Sequence, residues 1–131
     1  MNEPRYFVLV FGDPNQNGDT VESGRYEAGE GYPPFKVEAG DMLLVYCTDG
    51  YDAYRMQFPG IGVAIRATAS LIEYRWIPFA IPLPRELIRQ NFDAEDQKKM
   101  GQVRFNQRRA FTISSQSFWR TAANQPIASR I

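Results

Sequence analysis

Tyr51 and Tyr54 stand in a polar segment beside Asp49, Asp52 and Arg55. Aromatic side chains in such a segment are placed for exposure, where their faces can stack a planar ligand. Cys47 is a candidate nucleophile, but it closes an apolar run, and a buried cysteine without a basic neighbour behaves as a small hydrophobe. The chain contains no histidine, which removes the usual proton shuttle near neutral pH and the commonest metal ligand. Asp41, Asp49 and Asp52 could pair as acid and base, yet Asp41 follows Gly40 in a turn, a position that suits aspartate without any catalytic role. Metal-ligand spacings and a phosphate-cradling glycine loop are both missing from the sequence. These residues favour binding over catalysis and call for no cofactor.

Charge separates along the chain. Residues 1 to 84 hold six basic and eleven acidic residues, whereas residues 85 to 131 hold nine basic and four acidic ones. No acidic residue follows Asp96, while Lys98, Lys99, Arg104, Arg108 and Arg109 come in close succession. This basic segment is a candidate phosphate contact, since phosphate contacts supply affinity without reading sequence. A solvated helix and loop surface is the alternative reading.

The 131 residues are enough for one domain, spanning 1–131, and 44% apolar residues suffice for its core. Apolar runs stay well below the ~20 residues of a membrane helix. The opening Met1-Asn2-Glu3-Pro4-Arg5 leads into an apolar run without a cleavage site, which predicts no signal peptide. One cysteine cannot form an internal disulfide, so a reducing cytoplasm is the simplest setting.

The elements that must position the aromatics are mostly strands. Tyr6 to Phe11 reads as a strand ending at Gly12-Asp13-Pro14, and Met42 to Cys47 is apolar on both faces, as a central strand is. Residues 12 to 34 and 48 to 59 read as two long loops, the second carrying Tyr51, Tyr54 and Phe58. Two strands follow, Ile61 to Ala69 and Leu71 to Ala80, with the prolines at 82 and 84 taking the chain off the sheet. Gly60 and Gly62 mark a sharp bend or a close backbone approach. Pro84 and Asp93 open short helices, Arg109 to Ile113 is a last strand, and Ser114 caps a helix carrying Phe118 and Trp119. The order predicts an α+β domain: a curved β pseudo-barrel of about five to six strands with short peripheral helices.

Four of these segments, read in order, resemble the EVE domains of the PUA-like superfamily, which is related to the YTH and ASCH domains. They are Val37-Glu38-Ala39-Gly40-Asp41 running into Tyr46, Pro59-Gly60-Ile61-Gly62-Val63-Ala64, Tyr74-Arg75-Trp76-Ile77-Pro78-Phe79 through Pro82 to Leu87, and Phe111 to Phe118. The resemblance covers roughly residues 5 to 122. Gly12-Asp13-Pro14 stands where the family has serine-glutamate-proline, and the following loop lacks the family's tryptophan.

The resemblance implies a PUA-like barrel that grips a nucleobase, preferably a modified one, in RNA or DNA. The expected pocket lies between the two long loops. Cys47 and Thr48 form its floor, and Tyr32, Phe35, Tyr51, Tyr54, Phe58 and Trp76 are its candidate walls. Trp76 has a competing place in the core, as a tryptophan in mid-strand usually does. Lys98 to Arg109 is expected beside the pocket mouth. Two further readings stay open on the same fold: a small-molecule or protein-interaction module, and an ASCH-like RNA hydrolase, whose glycine-x-lysine-x-x-glutamate-x-arginine signature is missing here.

Overall fold

The apolar run Tyr6–Phe11 (β1) lies parallel to Met42–Cys47 (β3), from Tyr6 opposite Met42 to Phe11 opposite Cys47. The computed structural model describes residues 3–12, 19–28, 34–103 and 109–123. Arg25–Glu27 (β2), Gln57–Ala67 (β4), Leu71–Pro84 (β5) and Arg109–Ile113 (β6) complete a six-stranded sheet in the order β2-β5-β4-β3-β1-β6. Every pairing but β1–β3 is antiparallel.

Strand alternation divides the core. Phe7, Leu9 and Phe11 of β1 join Leu43, Val45 and Cys47 of β3 in a first core, while Val8, Val10, Leu44 and Tyr46 point into a second. Both central strands are thus covered on both faces, which explains their unbroken apolar sequence. The second core is closed by three short helices, α1 (Ile88–Asn91), α2 (Ala94–Gly101) and α3 (Ser115–Ala122), through Phe92, Met100, Phe118 and Ala122. No helix among the described residues is long and apolar enough to cross a membrane.

The first core lies in the hollow of a curled sheet. Three strands separate Tyr26 of β2 from β1 in the sheet, yet its ring meets that of Phe11 at 4.8 Å. Its hydroxyl donates to the carbonyl of Val10 on β1. Only a sheet rolled into a half-barrel brings these strands together. The curved α+β architecture read from the sequence is present, with six strands.

Gly60 and Gly62 face the first core and let β5 close in. A Cβ on Gly60 would sit 2.5 Å from the Ile77 carbonyl oxygen, and one on Gly62 would sit 2.7 Å from the Tyr74 ring. The glycines therefore mark a close approach, with a register shift on β4 and β5 between Phe58 and Gly60.

Three expectations are corrected. Part of the 12–34 segment is ordered structure: a 3-10 turn at Val21–Ser23 and the strand β2, which pairs with Leu71–Glu73. The prolines do not end β5, which runs through Pro78 and Pro82 to Pro84. The Tyr74 amide still donates to the Gly24 carbonyl at 2.9 Å, and beyond it β4 is the one strand beside β5 among the described residues; an edge strand tolerates a residue without an N–H. Finally, Phe58 belongs to β4 rather than to a loop.

The helix starts follow the sequence. Asp93 accepts from the Asp96 amide at 3.0 Å to cap α2, and Ser114 accepts from the Ser117 amide at 3.0 Å to cap α3. Buried Asp96 joins the two helices by accepting from the Ser114 amide at 2.9 Å and the Ser117 hydroxyl at 2.7 Å.

Candidate functional site

After β3 the chain turns sharply. The Thr48 amide donates to the Phe11 carbonyl at 2.9 Å, the Tyr51 amide donates to the Thr48 carbonyl at 3.1 Å, and a 3-10 turn follows at Asp52–Tyr54. This geometry lays Tyr54 flat on Tyr51, with ring centroids 6.1 Å apart and planes 14° from parallel. Tyr51 is buried and meets Phe11 edge-on at 5.9 Å. Phe11, Tyr26 and Phe35 continue the aromatic chain through the first core.

The tyrosine hydroxyls are spoken for by the 3-10 turn Val21–Ser23. The Val21 amide donates to the Tyr51 hydroxyl at 3.1 Å, the Tyr74 hydroxyl donates to the Val21 carbonyl at 2.6 Å, and the Tyr54 hydroxyl donates to the Glu22 carboxylate at 2.8 Å. Val21 itself is fully buried. The turn is therefore fastened onto the first core, between the 48–59 segment and β5.

Burial raises the pKa of Tyr51 and Tyr74, and burial followed by the Glu22 carboxylate pushes Tyr54 up to about 12. All three remain neutral phenols at physiological pH. Burial also holds the Cys47 thiol far above its ordinary range, so Cys47 is an inert core thiol.

The structure gathers some of the sequence candidates and separates others. Phe35, Cys47 and Tyr51 are buried members of the first core, and Thr48 is buried at its edge. Tyr54 and Trp76 are partly buried and pack on that same core. Trp76 lies opposite Gly62 on β4, and its ring reaches over Gly60, whose added Cβ would meet ring carbon Cη2 at 2.8 Å. Phe58 faces the other way, into the second core, against Tyr46 at 5.0 Å and Phe92 at 6.1 Å. It cannot share a wall with Tyr54. Tyr32 lies outside the described residues.

The basic candidates sit with the second core. Lys98 is exposed 4.0 Å from Glu95, and Lys99 donates to the Thr112 carbonyl at 2.7 Å and its hydroxyl at 3.1 Å. The Arg109 guanidinium lies over the Phe111 ring at 5.0 Å. Met100 and Phe111, on the same elements, belong to the second core, across the sheet from Tyr51 and Tyr54. The expected place of Lys98, Lys99 and Arg109 beside the pocket mouth is corrected accordingly. Arg104 and Arg108 lie outside the described residues.

Sequence reasoning missed Val21, Glu22, Tyr26 and Tyr74. Tyr74 was findable, since a strand's period of two puts it on the same face as Trp76. Tyr26 sits in too short a strand to leave a periodic signal.

Two clefts lie elsewhere. One of about 380 Å³ is lined by Glu3, Arg5, Glu38 and Asp41 among others. Its buried Asp41 accepts from the Arg5 amide at 3.0 Å, the Arg5 guanidinium at 3.1 Å and the Glu38 amide at 2.8 Å, which makes it the brace of a turn. Another of about 280 Å³ lies along Arg85, Glu86, Ile88 and Arg89.

No protein-family model matches this chain, and no curated protein is significantly similar to it.

Proposed function

We propose that this chain is an EVE-like domain of the PUA-like superfamily that reads a nucleobase, preferably a modified one, without catalysing a reaction on it. The observation that carries the reading is the pair Tyr54 and Trp76, two partly buried aromatics on the hollow face of a half-barrel. One face of Tyr54 is already stacked on Tyr51, so a base laid on its other face extends an existing stack. Trp76 is seated against the glycine backbone of β4 and loses little freedom on binding.

The surface around Tyr54 is acidic. Exposed Glu22 accepts from its hydroxyl, exposed Asp52 shares its 3-10 turn, and Arg55 is bound to Asp52 at 2.7 Å. Phosphates are disfavoured at such a surface, so the ring of the base, and not its backbone, is what this face recognises. A methyl group buried against the aromatics gains about 0.8 kcal/mol, under tenfold in affinity. Discrimination between methylated and unmodified bases is therefore modest.

Calorimetry with short single-stranded oligonucleotides carrying methylated or unmodified bases tests the reading. Tyr54→Ala and Trp76→Ala should each weaken binding by about tenfold, in keeping with the loss of one stacking contact. A free metabolite that binds tightly where every oligonucleotide fails would replace the reading with a small-molecule one.

A further inference from the structure

Trp119 is the large aromatic left most open to solvent among the described residues, at 44% exposure. It projects from α3, whose buried side is Ser117, Phe118, Thr121 and Ala122. Its indole N–H donates to the Tyr6 hydroxyl at 3.2 Å, and its ring stands edge-on to Phe118 at 4.9 Å and to Tyr6 at 6.2 Å. The polar atom of the indole is thus used inside the protein. Its remaining surface is carbon, held at a fixed angle.

Positive charge lies on the same side of the sheet, where α2 and α3 both pack on the second core. Tyr6 pairs with Ile113 on β6, and the neighbouring Thr112 holds the ammonium of Lys99 at 2.7 Å. Exposed Arg120 follows Trp119 on α3. A fixed aromatic surface with cations on its side of the sheet fits a chain that alternates planar rings with negative charges. An interface for another protein would more often surround the indole with further exposed apolar side chains.

We infer that Trp119, with Arg120 next to it on α3 and Lys99 on α2 on the same side of the sheet, is a stacking platform for single-stranded nucleic acid. The inference rests on the reading of this chain as a nucleic-acid binder, and it adds a second contact on the opposite side of the sheet from Tyr54 and Trp76. It also assigns the phosphates a place, since the acidic surface around Tyr54 offers them none.

Fluorescence anisotropy with labelled single-stranded oligonucleotides of about ten nucleotides, within the span such sites cover, tests it. Trp119→Ala should weaken binding about tenfold, with Trp119→Phe intermediate. Lys99→Gln and Arg120→Gln should each reduce the slope of log affinity against log salt by about one. Circular dichroism checks that each variant is folded. A measurement that needs no variant follows the indole N–H resonance of Trp119 in the wild type by nuclear magnetic resonance; it should shift along the same saturable curve as the anisotropy.

If Trp119→Ala binds as the wild type does while Tyr54→Ala fails, the platform is overturned and the base reading stands. If Trp119→Ala fails while Tyr54→Ala and Trp76→Ala bind normally, the platform stands and the base reading falls. Failure of every oligonucleotide with the wild type overturns both. Self-association of the wild type that Trp119→Ala abolishes, with no oligonucleotide bound, would make this surface a protein interface and overturn the platform.

Discussion

The hydroxyl of Tyr74 donates to the carbonyl of Val21 at 2.6 Å, tying β5 to a turn more than fifty positions earlier in the chain. Tyr51 accepts from the amide of the same Val21 at 3.1 Å, so both backbone groups of one buried residue are satisfied by tyrosine side chains. Tyr74→Phe leaves that carbonyl without its donor and should cost about 1–3 kcal/mol, the penalty of an unsatisfied buried polar group. Tyr54→Phe removes only a bond to the exposed carboxylate of Glu22 and should change stability by about 0.5 kcal/mol or less. Urea unfolding of the two variants checks the contrast, and equal midpoints would contradict the buried role of the Tyr74 hydroxyl.

Gly60→Ala should destabilise the domain more than Gly62→Ala does. A methyl group on Gly60 meets the backbone of Ile77 and Pro78 at 2.5 and 2.8 Å, whereas one on Gly62 meets side-chain atoms of Tyr74 alone, the nearest at 2.7 Å. Overpacking of this kind costs about 1–3 kcal/mol, and Gly60→Ala belongs at the upper end. Thermal unfolding of the pair decides the order.

These two glycines show how much was legible in the sequence. β1 and β3 were legible because each is an apolar run ending at clear turn residues, and β6 because Arg109 to Ile113 alternates. β2 was not: Arg25-Tyr26-Glu27 buries one side chain, and its place depends on where Tyr26 reaches once the sheet has rolled up. Proline looked like the end of β5 because local chemistry cannot tell an edge strand from a paired one. The candidate site was half legible. Tyr54 and Trp76 share a face, but Phe58 is turned away by its position on β4, and the basic helix packs on the second core because Met100 faces that way. Which face an element presents follows from tertiary packing, beyond the reach of composition.

Acid should unfold the domain partly through the cap of α2. The Asp96 amide, donating to Asp93, is the main cause that holds the Asp93 carboxyl below its ordinary value. A lowered carboxyl contributes stability that is complete above the unfolded value, about 3.9, and is lost as pH falls through the folded value. Asp93→Ala should therefore lower stability at neutral pH by about 1 kcal/mol. It should also remove part of the decline below pH ~4. Urea midpoints measured from pH 7 down to pH 3 would show two parallel curves if the cap contributed no pH dependence.

The central claim, that Tyr54 and Trp76 together receive a base, is tested most directly by nuclear magnetic resonance with a methylated nucleoside that carries no phosphate. A ring stacked between them shifts the side-chain signals of both residues along one saturable curve, and leaves Phe58, in the opposite core, unmoved. That joint shift is the predicted result. Saturable binding that leaves the signals of Tyr54 and Trp76 in place would contradict the account.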